Sequence, residues 1–387
     1  MLKYVLNSES WNNKEISAIK KILHSKNFTM GKKVLEFEKK FAKYLNRKYA
    51  VMTNSGSSAN LIAIATFFYN NQKLKAGDEV IVPAIAWSTT YAPLQQYGLK
   101  LKIIDVNIKD LNLDFDILKE AITKKTKMIV AVNILGVPCA LDKIKKLCLK
   151  KKIIFFEDNC ESLGSEINGK KTGTFGDIST HSFFYSHHIS TMEGGMAVTD
   201  SYKNYCILKN LRAHGWVRDL PISKTNLNPD PKKKKIYKFL LPGYNLRPGE
   251  IHAAAGLEQI KKIKTMENYR IKNWNLFYSL FKNNKLFYIQ ETKHKNSSFA
   301  FTLILKKKNN NLKKRIFKLL EKNNVEYRMI TGGCVTKHPY IEHFKYTIYK
   351  KLNIAEKAHQ NGFFVGNSGT DLTKQIELLY KLLSNVK

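Results

Sequence analysis

Two adjacent histidines lie in a segment whose residue types suit proton transfer. The segment HSFFYSHHISTMEGGM, from His181 to Met196, places His187 and His188 among hydroxyl side chains and closes on two glycines. A buried imidazole needs hydrogen-bond partners, so this stretch is poor core material. A metal site is disfavoured, because adjacent strand residues point to opposite faces and no further His or Cys stands at ligand spacing. The segment therefore favours acid–base chemistry.

A turn of small residues could hold a phosphate group. The stretch TNSGSSAN, from Thr53 to Asn60, follows the short apolar run YAVM and precedes the apolar LIAIATFF. At a strand-to-helix turn, small residues leave backbone N–H groups and hydroxyls free to bind phosphate at the helix N-terminus. Serine and glycine also occupy ordinary turns and helix caps, so this stretch alone leaves both interpretations open.

A cluster of acidic residues follows a predicted strand. In IIFFEDNCESLG the apolar residues end at Glu157 and Asp158, and Glu161 follows shortly after. An aspartate fixed at a strand end can pair with a protonated pyridine nitrogen and keep a cofactor ring electron-poor. The same aspartate could cap a helix or bind a metal ion, and in isolation these alternatives are the more common.

Around these residues, the chain alternates between short apolar runs and helix-like segments. Val/Ile-rich runs with the length and composition of buried strands are VIVPAI, LKIIDV, MIVAVNIL, KIIFFED and GMAVTD. Their spacing predicts an α/β fold with a mostly parallel central sheet covered by helices on both faces. Such sheets bind ligands beyond the carboxyl ends of their strands, where Trp87, Asp158 and Ser182 stand.

The second half of the chain predicts a smaller domain. Residues 219–238 are polar and contain prolines, which indicates an exposed loop, and LPGYNLRPGE then leads into the helical pattern IHAAAGLEQIKKI. The run FAFTLIL predicts a strand and KKRIFKLLEKNN a helix. We therefore expect a large domain over residues 1–248, which carries all three segments above, and a small C-terminal α+β domain over residues 249–387.

Composition disfavours several classes of protein. No run of about 18 apolar residues could span a bilayer, and the first residues, MLKYVLNSESW, lack the apolar core of a secretory signal. The five cysteines are widely spaced and form no C-x-x-C pair, which disfavours structural zinc, iron–sulfur clusters and redox dithiols and fits a reducing compartment. These features predict a cytoplasmic protein with no metal ion and no membrane partner.

The formal net charge of +35 raises the question of nucleic-acid binding. The basic residues are spread along the chain, in short clusters such as 150–152, 232–235 and 306–308, without a basic arm or an aromatic-interleaved repeat. A compositional bias toward lysine explains this distribution more simply than a nucleic-acid interface. A basic surface would still attract a substrate that carries a diphosphate.

In combination, these segments resemble the DegT/DnrJ/EryC1/StrS sugar aminotransferase family, within the fold type I enzymes that use pyridoxal 5′-phosphate (PLP). The resemblance covers essentially the whole chain and is carried by SKNFTMG, KYAVMTNSGSSANL, VPAIAWSTTYAPLQQYGL, EDNCESLG, FFYSHHISTMEGG, LRAHGWVRDLP and LPGYNLRPGE. It implies that residues 1–248 bind PLP and that the protein is a homodimer with shared active sites. Ordinary family members bind the cofactor covalently through a lysine before the EGG turn. Here that position is His187, as in the dehydratase branch of the family.

The resemblance also implies roles for individual residues. His187 would be the catalytic residue, and Asn245 would reach the cofactor phosphate of a neighbouring subunit. The other cofactor-binding residues implied are Gly56, Ser57 and Ser182 at the phosphate, Trp87 on the ring, Asp158 at the pyridine nitrogen and Glu161 beside the cofactor. The substrate-binding residues implied are Lys26, Asn27, Phe28, Thr29, His214, Arg218, Arg247 and Glu326, with His214 at the amino donor. The stretch TGGCVTKHP, residues 331–339, departs from the family pattern.

The resemblance implies a dehydration rather than an amino transfer. PLP, or its pyridoxamine form, would be held without a covalent bond, because imidazole does not form the stable linkage that lysine forms. L-Glutamate would supply the amino group, and His187 would move the proton that allows the C3 hydroxyl of GDP-4-keto-6-deoxy-D-mannose to leave. Water would be lost in the elimination, and hydrolysis would then release the 4-keto-3,6-dideoxy sugar and ammonia, with 2-oxoglutarate formed from glutamate, on the route to colitose in lipopolysaccharide O-antigen.

Two other functions are consistent with the same residues. In a nucleotide-sugar aminotransferase, His188 or a distant lysine would compensate for the missing lysine. In a catalytically silent paralogue, the chain would only bind a nucleotide sugar, although a pure sensor has little use for a proton-transfer group. A stable amino sugar would establish the first alternative, and ammonia release would exclude the second.

Overall fold

The computed structural model describes residues 2–7, 9–71, 73–220 and 237–386. The helices in these ranges are α1 Asn13–Ser25, α2 Lys32–Leu45, α3 Gly56–Tyr69, α4 Ser88–Gln96, α5 Phe115–Ala121, α6 Leu141–Lys151, α7 Tyr202–Arg212, α8 Glu250–Phe281, α9 Asn310–Lys322, α10 Asn353–Asn361 and α11 Thr373–Ser384. The strands are β1 Tyr49–Thr53, β2 Glu79–Pro83, β3 Lys100–Ile104, β4 Thr126–Val132, β5 Ile154–Asp158, β6 Glu166–Ile167, β7 Lys170–Lys171, β8 Ile178–Ser182, β9 Gly195–Thr199, β10 Phe287–Tyr288, β11 Ala300–Leu305, β12 Tyr327–Met329, β13 Tyr346–Tyr349 and β14 Gly362–Gly366. Most of the loop predicted at 219–238 falls on residues 221–236, which lie outside the described residues.

A large sheet forms the centre of the protein. Its strand order is β1-β9-β8-β5-β4-β2-β3-β13. The strands from β8 to β13 are parallel neighbours, and β9 alone runs against the rest, between β8 and β1. The predicted α/β fold with a mostly parallel sheet is therefore confirmed, and each of the five Val/Ile-rich runs overlaps one of its strands.

Helices cover both faces of this sheet, which explains its continuous apolar strands. Helix α3 is apolar on almost every side because it lies inside the core, where residues such as Ile62 and Ile64 are fully buried. Helix α2 is amphipathic and buries Phe37 and Phe41 against the other face, beside Phe183. A sheet buried in this way presents only its strand ends to a ligand.

A second, smaller sheet is antiparallel and has the order β10-β11-β14-β12. Helix α8 connects the two sheets: its first half packs on α1 and α2, and its end places Trp274, Phe277 and Phe281 in the core of the small sheet. The segment β13 then returns to the large sheet and pairs in parallel with β3. In the described ranges we find no helix with the length and apolar character to cross a membrane.

Candidate active site

The small-residue turn begins a buried helix, as predicted. Ser55 is the N-cap of α3, and its side chain accepts a hydrogen bond from the backbone N–H of Ser58 at 3.0 Å. A β-carbon added to Gly56 would lie 2.7 Å from the β-carbon of Ser182 at the end of β8. Glycine is therefore required at position 56 by this close approach. The N-terminus of α3, Ser57 and Ser182 together form a cradle of donors suited to a phosphate.

Asp158 lies at the carboxyl end of β5 and is almost fully buried. Its Oδ2 accepts hydrogen bonds from Asn60 Nδ2 at 3.0 Å and Thr90 Oγ1 at 2.8 Å, and its Oδ1 accepts one from the backbone N–H of Cys160 at 3.1 Å. These three hydrogen-bond partners are all neutral groups. The carboxylate is thus fixed in place and still able to pair with a cation.

His187 and His188 point to different parts of the protein. The Nδ1–H of His187 donates to the carbonyl of Cys160 at 2.9 Å, which leaves Nε2 as the basic nitrogen of the ring. His188 is buried, and its Nε2–H donates to the carbonyl of Ser297 at 2.7 Å. Among the described residues, no group of three or more His, Cys, Asp or Glu side chains is arranged to hold a metal ion.

The environment of His187 keeps its imidazole neutral. The ring lies 5.2 Å from that of Phe299, and burial lowers the pKa of His187 to about 4. The hydrogen bond to the Cys160 carbonyl raises the pKa of His187, whereas the positive charge of Arg270 adds to the lowering by burial. A neutral imidazole with a free Nε2 can accept a proton at neutral pH.

Glu161 is held by two hydrogen bonds at the same edge of the sheet. The backbone N–H of Leu135 donates to Oε2 at 2.7 Å, and the hydroxyl of Thr331 donates to Oε1 at 3.1 Å. Burial raises the pKa of the Glu161 carboxyl to about 7, and the negative charge of Asp158 adds to this effect. Glu161 therefore changes its charge near neutral pH, beside Asp158 and the segment that anchors His187.

These side chains match the chemical groups of PLP. The start of α3 offers backbone N–H groups and hydroxyls to a phosphate. Asp158 offers a fixed carboxylate to a protonated pyridine nitrogen. Trp87, at the N-cap of α4, exposes 58% of its surface and presents an apolar face on which an aromatic ring can stack. The residues present therefore fit this cofactor.

Three parts of the predicted substrate site, residues 26–29, His214 and Arg247, lie around residues 244–250 at the start of α8. The carbonyl of Phe28 accepts the backbone N–H of Glu250 at 2.9 Å, so residues 26–29 lie beside the start of α8. Arg247 Nε donates to Asn245 Oδ1 at 3.0 Å. His214, in a left-handed turn, donates its backbone N–H to the carbonyl of Tyr244 at 2.7 Å.

Two further predicted residues make other contacts. The guanidinium of Arg218 lies 4.1 Å from the ring centre of Trp216, in a cation–π arrangement. Glu326 accepts the backbone N–H of Leu6 at 3.0 Å and so contacts the N-terminal stretch. That stretch also reaches the histidine loop, because Asn7 Nδ2 donates to the carbonyl of Tyr185 at 3.3 Å.

Several residues that hold the site together were not predicted from the sequence. Asn60 and Thr90 fix Asp158, Thr331 holds Glu161, and the ring of Phe299 packs on His187. Asn60 stands in the quoted turn and Thr90 directly follows Trp87 in WSTT, so polar residues near both motifs were the available signal. Nothing in the local sequence around Thr331 or Phe299 indicates a contact with residues more than a hundred positions away.

Comparison with known proteins identifies the family of this chain. Residues 9–370 match the DegT/DnrJ/EryC1/StrS aminotransferase family. The chain is 45% identical over 390 aligned residues to GDP-4-keto-6-deoxy-D-mannose 3-dehydratase of Yersinia pseudotuberculosis, covering 99% of this chain and 98% of the relative. The solved E. coli enzyme of that name, with bound hydrated PLP, is 44% identical with a TM-score of 0.95 and covers 99% of this chain and 100% of its own.

A further solved structure of GDP-4-keto-6-deoxymannose-3-dehydratase contains a trapped PLP-glutamate geminal diamine. It is 44% identical to this chain, has a TM-score of 0.95, and covers 98% of this chain and 100% of its own. The likeness therefore extends over the large sheet, the small sheet, the strand end that carries Asp158 and the loop that carries His187. On its sequence, its fold and the arrangement of its site, this chain belongs to the DegT/DnrJ/EryC1/StrS aminotransferase family.

Proposed function

We propose that this chain is a PLP-dependent 3-dehydratase of GDP-4-keto-6-deoxy-D-mannose with L-glutamate as amino donor. The observation that carries the proposal is His187, a neutral imidazole with a free Nε2, in a loop whose sequence FFYSHHISTMEGG contains no lysine. Without a lysine in this loop, the cofactor is bound non-covalently, as PLP or pyridoxamine phosphate. The close relatives carry the same activity in their names, and one was trapped with glutamate on PLP.

The cofactor, when bound, acts as an electron sink that lets a C–O bond of the sugar break after a proton is removed. Gly56, Ser57 and Ser182 hold its phosphate, and Asp158 keeps the pyridine nitrogen protonated. Trp87 covers one face of the ring. Non-covalent contacts of this kind, with those of Glu161 and Asn245, must supply the binding free energy, because the chain forms no covalent bond to the ring.

His187 moves the proton. Its Nδ1–H is used by the Cys160 carbonyl, so Nε2 is the atom that accepts the proton and later delivers it to the departing C3 hydroxyl. Because burial lowers the pKa of His187 to about 4, the imidazole is neutral at pH 7 and can accept the proton. A lysine at this position would instead return the proton to the sugar and complete an amino transfer.

The nucleotide sugar and glutamate are bound by the residues around 244–250 together with Arg218 and Glu326. Lys26, Asn27, Phe28, Thr29, Arg218, Arg247 and Glu326 contact the GDP sugar, and His214 contacts glutamate. The formal charge of +35 favours the approach of the GDP diphosphate by electrostatic steering. We place the reaction in the cytoplasm, which is consistent with five cysteines that are all unpaired.

The proposed assembly is a homodimer with shared active sites, in which Asn245 serves the phosphate site of the neighbouring subunit. Asn245 is exposed, and the segment that carries it is anchored by a hydrogen bond of 3.2 Å from the backbone N–H of Asn54 to the carbonyl of Leu246. The exposed amide at this position is available to a second copy of the chain.

The direct test incubates the purified chain with PLP, glutamate and GDP-4-keto-6-deoxy-D-mannose. Mass spectrometry should find a GDP sugar lighter by one oxygen atom, with equal amounts of ammonia and 2-oxoglutarate. His187→Asn should lower turnover by about 10²–10⁴-fold, whereas His343→Asn, which changes an exposed imidazole, should leave it unchanged. A stable amino sugar, or PLP fixed to the protein after borohydride reduction, would contradict the proposal.

Subunit complementation tests the shared site. His187→Asn and Asn245→Ala each impair both sites of a homodimer. In a mixed dimer, one site receives both wild-type residues and the other receives both substitutions. Dissociating and remixing equal amounts should therefore restore about a quarter of wild-type activity, because half of the dimers are mixed and each has one intact site. No recovery in remixed samples that contain mixed dimers would show that Asn245 acts within its own subunit.

A further inference from the structure

The turn of residues 331–333 lies against the strand end that carries Trp87. A β-carbon added to Gly332 would lie 1.8 Å from the carbonyl oxygen of Ala86 and 3.2 Å from the backbone nitrogen of Trp87. The backbone N–H of Val335 donates to the carbonyl of Ala84 at 2.9 Å, which continues the contact. A turn from the C-terminal part of the chain thus forms one wall of the site.

Two histidines fix this turn from behind. The Nε2–H of His338 donates to the carbonyl of Gly332 at 2.7 Å, and the Nδ1 of His359 accepts the backbone N–H of Cys334 at 3.3 Å. Gly332 and Gly333 both have left-handed backbone angles, with φ of +63° and +55°. The backbone of the turn is therefore fixed in position. The side chain at the start of the turn is fixed with it.

That side chain is Thr331, which is buried and directed at Glu161. Its hydroxyl donates to Glu161 Oε1 at 3.1 Å, while Leu135 holds Oε2. The ionisable groups around Glu161 are Asp158 on β5 and the thiol of Cys160. The Thr331 hydroxyl is thus the one side-chain donor that Glu161 has among the described residues.

We propose that Thr331 is a positioning residue, whose hydroxyl orients the Glu161 carboxylate for contact with the bound cofactor. The inference rests on the proposed function only in that PLP occupies this site. It assigns a role to TGGCVTKHP: Thr331 holds Glu161, Gly332 allows the approach to Trp87, and His338 locks the turn. Glu161 then keeps one orientation while the reaction proceeds.

The test is the pH dependence of PLP binding, measured by quenching of tryptophan fluorescence between pH 5 and 9. Burial raises the pKa of Glu161 to about 7, and the Thr331 hydroxyl opposes that rise by stabilising the carboxylate. Thr331→Val keeps the shape and removes the donor, so the inflection assigned to Glu161 should move up by about 0.5–1 pH unit. The free cofactor also titrates in this range, so the difference between variants is the quantity to compare.

Two matched variants complete the design. Thr331→Ser keeps a hydroxyl and should restore the wild-type inflection. Thr336→Val removes a hydroxyl in the same loop that bonds the Cys334 sulfur, and should leave the inflection in place. Thr331→Ala serves as the second donor-free variant if Thr331→Val fails to fold.

An inflection that stays at the wild-type pH in Thr331→Val, or that moves equally in Thr331→Ser, would overturn the inference. The titration needs PLP alone, so its outcome is separate from turnover of the sugar. If the wild-type chain binds PLP and does not dehydrate the sugar, the proposed function is wrong while the role of Thr331 is still decided by the titration.

Discussion

A buried ion pair stabilises the edge of the large sheet next to the phosphate turn. Arg212 Nη1 lies 2.6 Å from Glu38 Oε1, and both side chains are at least 95% buried. Strand β1 is the last strand of the sheet, so the outward backbone groups of Met52 have no neighbouring strand. Glu38 accepts the N–H of Met52 at 2.9 Å, and Arg212 donates to its carbonyl at 2.8 Å. The pair therefore substitutes for a missing strand.

Glu38→Gln should destabilise the protein strongly. Glutamine keeps an oxygen for the Met52 N–H but leaves the guanidinium of Arg212 buried without a counter-charge, which costs about 3–5 kcal/mol. Unfolding entropy is about 2.1 cal/mol/K per residue, which for 387 residues gives about 0.8 kcal/mol/K. The thermal midpoint should therefore fall by about 4–6 °C.

Differential scanning fluorimetry of the apo chain measures this effect. The control is Glu36→Gln on the same helix, whose carboxylate is 41% exposed and pairs with Lys33 and Lys40. Surface pairs contribute at most about 1 kcal/mol, so this midpoint should fall by no more than about 1 °C. In an Arg212→Met background, Glu38→Gln should also cost little, because no buried cation remains. Equal losses with and without Arg212 would refute the reasoning.

Three further predictions concern the site and the core. Gly332→Ala should destabilise the chain by about 1–3 kcal/mol and weaken PLP binding, because its β-carbon would meet the Ala86 carbonyl. Gly169→Ala, with φ of +78° and open space around it, should show only the smaller backbone cost and unchanged PLP affinity in the same unfolding and binding assays. Burial lowers the pKa of His181 to about 3. Below about pH 6.5, the unfolded chain therefore binds a proton at this residue that the folded chain does not bind. Thermal midpoints should accordingly fall as pH decreases, with about 2 kcal/mol lost to this residue by pH 5 in wild type and not in His181→Asn. An equal fall of the midpoint with pH in wild type and in His181→Asn would argue against this prediction. Asp158→Asn should weaken PLP binding by about 10- to 100-fold in a fluorescence titration, because a charged hydrogen bond to the pyridine nitrogen is lost.

Part of the site could be predicted from the sequence, because mostly parallel sheets bind ligands beyond the carboxyl ends of their strands. Parallel strands bring their carboxyl ends to one edge, so Trp87, Asp158 and Ser182 could be expected to lie near each other without knowledge of the strand order. The phosphate turn was ambiguous by itself, and the contact between Gly56 and Ser182 is what distinguishes it from an ordinary helix cap.

The rest of the architecture could not be predicted, because it depends on contacts between distant parts of the chain. Strand β13 is short and largely exposed, with Tyr346 and Ile348 facing solvent, so it has none of the composition of a buried strand. Its pairing with β3 is determined by the path of the chain from the small sheet. Thr331 and Glu161 are likewise 170 positions apart, and a single hydroxyl donor leaves no periodic pattern.

The geometry of the two histidines also decides between the reactions open to this site. An aminotransferase in which His188 replaces the missing lysine would need that imidazole at the cofactor. His188 is instead buried, bonded through Nε2 to Ser297 and held neutral, since burial keeps its pKa well below the ordinary value. His187, by contrast, donates through Nδ1 to the carbonyl of Cys160, two residues after Asp158, and keeps Nε2 as its basic nitrogen. The imidazole of His187 can exchange protons but cannot bind the cofactor covalently. That combination favours loss of a hydroxyl over gain of an amine.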